Sequence, residues 1–93
     1  MRLTDEEHQA IRDAIRQADA DAQIYLFGSR ADDTEKGGDI DLMVLSQKID
    51  LMAKLDILAR LHLQLGERRI DIGVYPDATR PFTQIAIRTG VPL

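Results

Sequence analysis

The sequence contains no cysteine, which excludes disulfide bonds, thiol chemistry and cysteine-bound zinc from its function. No apolar run approaches the ~20 residues that a membrane-spanning helix needs, and the first residues lack the apolar core of a signal peptide. Internal repeats and low-complexity segments are also absent. We therefore expect a cytoplasmic protein that does not associate with membranes.

Positive charge is in deficit, with 12 Lys and Arg against 16 Asp and Glu and a net charge of -4. An acidic chain is repelled by a phosphate backbone, so generic binding to nucleic acid is not expected. The remaining composition, 44% hydrophobic and 30% charged, is that of an ordinary globular domain. Its 93 residues suffice for one domain, which we expect to span residues 1–93.

Capping signals mark three helices. Thr4 and Glu7 form a capping box that starts a helix reaching to about Ala20. The second helix is predicted to start at the N-cap Asp50 and to end at Gly66. The third is predicted to start at the N-cap Thr79 and to end at Gly90. Strands are predicted at residues 23–27, 39–45 and 69–75. This order predicts an α/β (α+β) domain with a small mixed β-sheet, whose helices pack on one face.

The second predicted helix carries an apolar stripe that should face the sheet, composed of Leu51, Leu55, Leu58, Leu61 and Leu65. Two histidines lie on the helices. We expect His8 to be a solvated surface residue and His62 to be a partly buried structural one, with neither acting as a ligand or base.

Carboxylates recur on one face of the predicted strands. Asp39 and Asp41 alternate along the second strand, so both side chains point to the same face. Asp71 has the same phase in the third strand and should face the same way if the two strands are neighbours. Carboxylates on one face repel each other, and a hard divalent cation with oxygen ligands would relieve that repulsion. Asp77 follows Pro76, which ends the strand, so Asp77 is interpreted as a turn residue.

A Gly-Ser turn precedes the aspartate strand. Gly28 and Ser29 follow an apolar strand and offer backbone N–H groups and a hydroxyl, which suit a phosphate. Arg30 could support that phosphate or lie on the surface, and Lys36 is interpreted as solvent-exposed. Gly73 lies on the carboxylate face and should leave room for a nucleotide. These features together predict a metal–nucleotide site.

The pattern G-S, nine residues and D-I-D, starting at Gly28, resembles the signature of the nucleotidyltransferase superfamily that includes DNA polymerase β. The segments GSRA and GGDIDLMV most resemble those of the minimal nucleotidyltransferases. Members of that family are commonly encoded beside a HEPN-domain protein as toxin–antitoxin pairs. The resemblance covers residues 24–90. Many members have serine where this chain has Gly38, which removes one hydroxyl contact but keeps the carboxylate pair.

The resemblance implies a two-ion Mg²⁺ site, with Mn²⁺ as an alternative, held by Asp39, Asp41 and Asp71. Gly28 and Ser29 would grip the β- and γ-phosphates of ATP. The implied activity is transfer of AMP to a protein hydroxyl, by resemblance a tyrosine of a HEPN-domain toxin, which makes the chain an antitoxin.

Two other functions stay open: an antitoxin that acts by binding alone through a vestigial site, and half of a split nucleotidyltransferase for a small molecule such as an antibiotic. A structural alternative is that Asp39 and Asp41 merely protect an edge strand from aggregation. The in-phase Asp71 favours the metal site. The sequence leaves both homo- and hetero-oligomers open.

Overall fold

The computed structural model describes residues 3–27, 40–66 and 69–93. Its helices and strands follow in the order α1 Asp5–Ala18, β1 Gln23–Phe27, β2 Ile40–Leu45, α2 Leu51–Leu65, β3 Ile70–Tyr75, α3 Pro81–Thr89 and β4 Val91–Pro92. The short strand β4 was not predicted from the sequence, which shows that segment only as a tail after Gly90.

Helix α1 begins at the predicted capping box. The Thr4 hydroxyl accepts a hydrogen bond from the Glu7 amide at 3.1 Å, and the Glu7 carboxylate accepts one from the Thr4 amide at 2.9 Å. The helix ends at Ala18, two residues before the predicted end, because Asp19 is already extended. Its buried residues are Ala10, Ile11, Ala14 and Ile15.

The four strands form one mixed sheet in the order β3-β2-β1-β4. Strand β1 pairs antiparallel with both β2 and β4. Strands β2 and β3 are parallel and are connected through α2. This arrangement confirms the predicted fold class, and it makes β2 and β3 the neighbours that a shared carboxylate face requires.

One face of the sheet forms the main core with α1 and α2. The alternating apolar residues of β1, β2 and β3 point into it, as the period of two predicts. Its buried strand residues are Ile24, Leu26, Ile40, Leu42, Val44, Ile70 and Ile72.

Helix α3 lies on the opposite face, so the expectation that the helices share one face needs correction for α3. The Phe82 ring lies 5.4 Å from that of Phe27 and 5.7 Å from that of Tyr75, and both strand residues alternate with core-facing neighbours. Met43 also points to this second face and is fully buried, so this face buries apolar surface of its own.

The leucine stripe of α2 is confirmed in part. Leu61 is buried and Leu58 and Leu65 pack against the core, whereas Leu51 and Leu55 are 68% and 50% exposed. Ile57, which was not part of the predicted stripe, is also buried. The helix is leucine-rich on several sides, so its periodicity alone does not fix which side meets the sheet.

None of the helices among residues 3–27, 40–66 and 69–93 is both long and apolar enough to cross a bilayer.

Three smaller predictions were also wrong. His62 is exposed, because it falls outside the buried side of α2. His8 is half-buried, and its Nε2 atom is buried without a hydrogen-bond partner. The N-cap of α3 is Arg80, which makes no side-chain cap bond. Thr79 instead donates its hydroxyl to Asp77 at 2.6 Å.

Candidate active site

The structure brings two of the predicted site residues together. Asp41 of β2 and Asp71 of β3 are direct partners in the parallel register, and neighbouring strands lie roughly 4.8 Å apart. Both alternate with core-facing residues, so both point to the face opposite the main core. The other predicted site residues, Gly28, Ser29, Arg30 and Asp39, lie outside the described residues, as does Lys36.

The two carboxylates have different surroundings. Asp71 has a side chain that is 58% exposed, and its Oδ2 atom lies 3.7 Å from Nε of Arg69, which is 73% exposed. An ion pair this open contributes at most about 1 kcal/mol and is easily displaced. Asp41 is half-buried and has Phe27 as its register partner on the β1 side.

Carboxylate oxygens are the hard ligands that Mg²⁺ and Mn²⁺ prefer. Two of them on adjacent strands, one largely exposed, make a donor pair that solvent and a ligand can reach. Among the described residues no group of three His, Cys, Asp or Glu side chains is placed to hold a metal ion. The third predicted carboxylate, Asp39, lies outside them.

Aromatic side chains on the same face as this pair were not predicted to be part of the site. Phe82 contacts both Phe27 and Tyr75 there. A Cβ atom added to Gly73 would lie 3.2 Å from the Tyr75 ring. The space over Gly73, expected to admit a nucleotide, therefore holds the Tyr75 ring instead. Tyr75 lies two residues after Gly73 in the same strand, so both residues share a face. That spacing was the sequence signal for this contact.

A second carboxylate cluster lies at the opposite ends of β2 and β3. The Ser46 hydroxyl donates to Oδ2 of the buried Asp19 at 2.6 Å and accepts from the amides of Lys48 and Ile49 at 3.1 Å each. The hydrogen bond from Ser46, followed by that from the Asp21 amide, lowers the pKa of Asp19 below its ordinary value. These bonds tie the loop after β2 to the end of α1, which is a structural role.

Asp77 lies near this second cluster and is the turn residue that was predicted. Its carboxylate accepts from the hydroxyl and the amide of Thr79. The hydroxyl bond, then the amide bond, lowers the pKa of Asp77. Open clefts of about 460 and 560 Å³ lie at this end of the sheet, away from Asp41 and Asp71.

No curated protein matches the chain. A family model described as "Polymerase beta, Nucleotidyltransferase" matches residues 9–93. The matched region runs from α1 through β4 and includes both carboxylates of the register pair. A match over this much of the sequence, on a mixed sheet with that pair, shows that the chain belongs to the polymerase β nucleotidyltransferase family.

Proposed function

We propose that this chain transfers AMP from ATP to a hydroxyl group of a protein. Nucleotidyl transfer as a general activity follows from the family. The nucleotide, the metal ion and the acceptor are the parts that we propose. The observation that carries the proposal is the register pairing of Asp41 with Asp71 on the face away from the main core.

The described residues fit the metal that this family chemistry implies. Asp41 and Asp71 are adjacent hard donors whose charges repel, and Asp71 is paired with the exposed Arg69. We propose that Asp39, Asp41 and Asp71 hold Mg²⁺. When bound, Mg²⁺ would neutralise charge on the triphosphate and lower the pKa of the attacking hydroxyl.

The chain's own residues would position the reactants. Asp71 would face the attacking hydroxyl, and Gly28 and Ser29 would hold the β- and γ-phosphates. The Phe27 ring, packed against Phe82, borders the pair on the β1 side. In the reaction, the acceptor oxygen bonds to the α-phosphorus, the bond from the α-phosphorus to the bridging oxygen breaks, pyrophosphate leaves and the hydroxyl proton passes to solvent.

The acceptor would approach from solvent. The open clefts lie at the other end of the strands, and the carboxylate pair is exposed at its β3 side. A protein that presents a side-chain hydroxyl could reach this edge. Tyrosine suits the reaction because its phenol, with a pKa of about 10, loses its proton more readily than an aliphatic alcohol. By resemblance the acceptor would be a HEPN-domain toxin that the modification silences.

The direct test is co-expression of the chain with the protein encoded beside it, followed by intact-mass analysis of that protein. We expect one or more added AMP groups. Asp41→Asn should abolish the modification. Asp56→Asn is the matched control, because Asp56 is a 67% exposed residue of α2 paired with Arg60, and it should leave the modification unchanged.

Two outcomes would contradict the proposal in different ways. A neighbour that is neutralised without any added mass would indicate an antitoxin that acts by binding alone. If the neighbour stays unmodified and labelled ATP transfers its AMP to a small molecule instead, the chain would be half of a split small-molecule nucleotidyltransferase.

A further inference from the structure

Every aromatic residue of the chain lies on the carboxylate side of the sheet. The sequence has two tyrosines, two phenylalanines and no tryptophan. Tyr25, Phe27 and Tyr75 have the strand phase of Asp41 and Asp71, and Phe82 reaches the same face from α3. The described main core is aliphatic, so the aromatic side chains share the sheet face of the candidate active site, and Phe27 lies next to Asp41 in the register.

Phe82 is more exposed than the anchoring of α3 requires. Thr83 is 0% exposed and Ala86 is 2% exposed, and these residues attach the helix to the sheet. The Phe82 ring is 44% exposed, although exposing a large ring to water is unfavourable. Its edge-on contact with Phe27, at an interplanar angle of 73°, and its tilted contact with Tyr75 hold the ring in place.

The position of Phe82 relative to the carboxylates is set by a single intervening residue. Phe82 contacts Phe27 at 5.4 Å between ring centroids, and Phe27 is the register partner of Asp41. A nucleotide whose phosphates lie at Asp41 would therefore pass its ribose over the Phe27 side and bring its base to Phe82.

We propose that the exposed ring of Phe82 is the platform on which the nucleobase of the substrate stacks, with Phe27 and Tyr75 as its supports. This inference rests on the proposed function, because it assumes that a nucleotide binds at Asp41 and Asp71. A neutral aromatic surface attracts the π-face of a base and offers nothing to a phosphate. The ring fixes where the base lies, so Phe82 is a positioning residue for the nucleotide.

The test separates the base from the phosphates. Calorimetry of the full chain would measure the binding of Mg·ATP and of Mg·tripolyphosphate, which has no base. Phe82→Leu keeps an apolar side chain but removes the ring. It should weaken the binding of Mg·ATP by about tenfold, as expected when a base loses an aromatic stacking partner, and leave Mg·tripolyphosphate binding unchanged.

Two control variants complete the test. Phe82→Tyr retains the ring and should bind Mg·ATP like the parent. Ile85→Ala removes another exposed apolar residue of α3, 53% exposed, and should also bind like the parent. Thermal unfolding of each variant would verify that α3 remains folded.

Equal binding of Mg·ATP by Phe82→Leu and the parent would overturn the base platform while leaving the proposed function intact. An equal loss for both ligands would also overturn it, since Phe82 would then act on the phosphates or the fold. A parent that binds neither ligand would overturn the proposed function and this inference together.

Discussion

At the residue scale, aspartate side chains have different roles at the two ends of the sheet. Asp19 is buried and accepts hydrogen bonds from Ser46 and from the Asp21 amide, so its charge is already satisfied within the protein. Asp71 is largely exposed, and Arg69, the cation paired with it, is exposed as well. A carboxylate with its donors in place stabilises the fold, whereas an open one next to another carboxylate is available to a ligand.

We predict that the hydrogen-bonded carboxylate of Asp19 makes a contribution to stability that is lost in acid. Its pKa in the folded state is lowered below 3.8, so this contribution is present above pH 3.8 and is lost as the pH falls toward the lowered pKa. Asp19→Asn should therefore be less stable than the parent at pH 7, and the difference should narrow below about pH 3.8. Urea unfolding at pH 7 and pH 3 would measure it.

Asp56→Asn is the control for this experiment. Asp56 pairs with the half-exposed Arg60, and such pairs contribute little, so the stability of Asp56→Asn should follow that of the parent at both pH values. A stability difference for Asp19→Asn that stays constant down to pH 3 would contradict the role assigned to the Asp19 charge.

At the element scale, local signals predicted which elements form better than they predicted how those elements pack. The capping box of α1 and the alternation along β2 depend on neighbours in sequence, and both were predicted correctly. The side of α2 that meets the sheet, the face on which α3 lies and the pairing of β4 depend on distant residues. Met43, which is buried on the face of the aspartates, is the residue in the sequence that indicates an apolar covering for that face.

The side of α2 that packs against the core makes a direct prediction. Leu61→Ala should lower the free energy of unfolding by about 2–5 kcal/mol, because Leu61 is fully buried and its truncation leaves a cavity. Leu55→Ala, the same substitution at a 50% exposed position of the helix, should have a much smaller effect. Equal losses in urea unfolding would contradict the exposed position of Leu55 and support burial of the whole predicted stripe.

The docking of α3 predicts a strong effect at Gly90. A Cβ atom there would lie 2.5 Å from the carbonyl oxygen of Ala86 and 3.1 Å from that of Leu26. Both obstacles are backbone atoms, which cannot turn aside as a flexible side chain can, so Gly90→Ala should cost about 1–3 kcal/mol, as overpacking does.

Gly73→Ala is the matched comparison for Gly90→Ala. The nearest obstacle there is the Tyr75 ring at 3.2 Å, a side chain that can shift, so the loss should be smaller, below about 1 kcal/mol. Chemical denaturation of both variants would measure the difference, and a larger loss at Gly73 would contradict the packing described for α3.

At the scale of the whole molecule, structure and chemistry separate onto the two faces of one sheet. The face packed against α1 and α2 is aliphatic and closed. The other face carries the carboxylate pair, every aromatic ring and the shorter helix α3. Strand phase in the sequence predicted that Asp41 and Asp71 face the same way, because a period of two is local, whereas their pairing in register depends on β2 and β3 being neighbours. The aromatic surroundings depend on where α3 docks, so the sequence alone did not predict them.

The central claim is that these carboxylates hold a Mg²⁺–nucleotide complex, and calorimetric titration of the full chain with ATP tests it most directly. The parent should bind ATP in the presence of Mg²⁺ and bind it poorly with EDTA. Asp41→Asn and Asp71→Asn should each weaken Mg²⁺-dependent binding by at least about tenfold. Replacing a residue that merely hydrogen-bonds to a metal ligand already lowers metal affinity by about that factor, and replacing a ligand itself should lower it at least as much. Asp56→Asn should bind as the parent does. Parent-like Mg²⁺-dependent binding by both Asp41→Asn and Asp71→Asn would contradict the account.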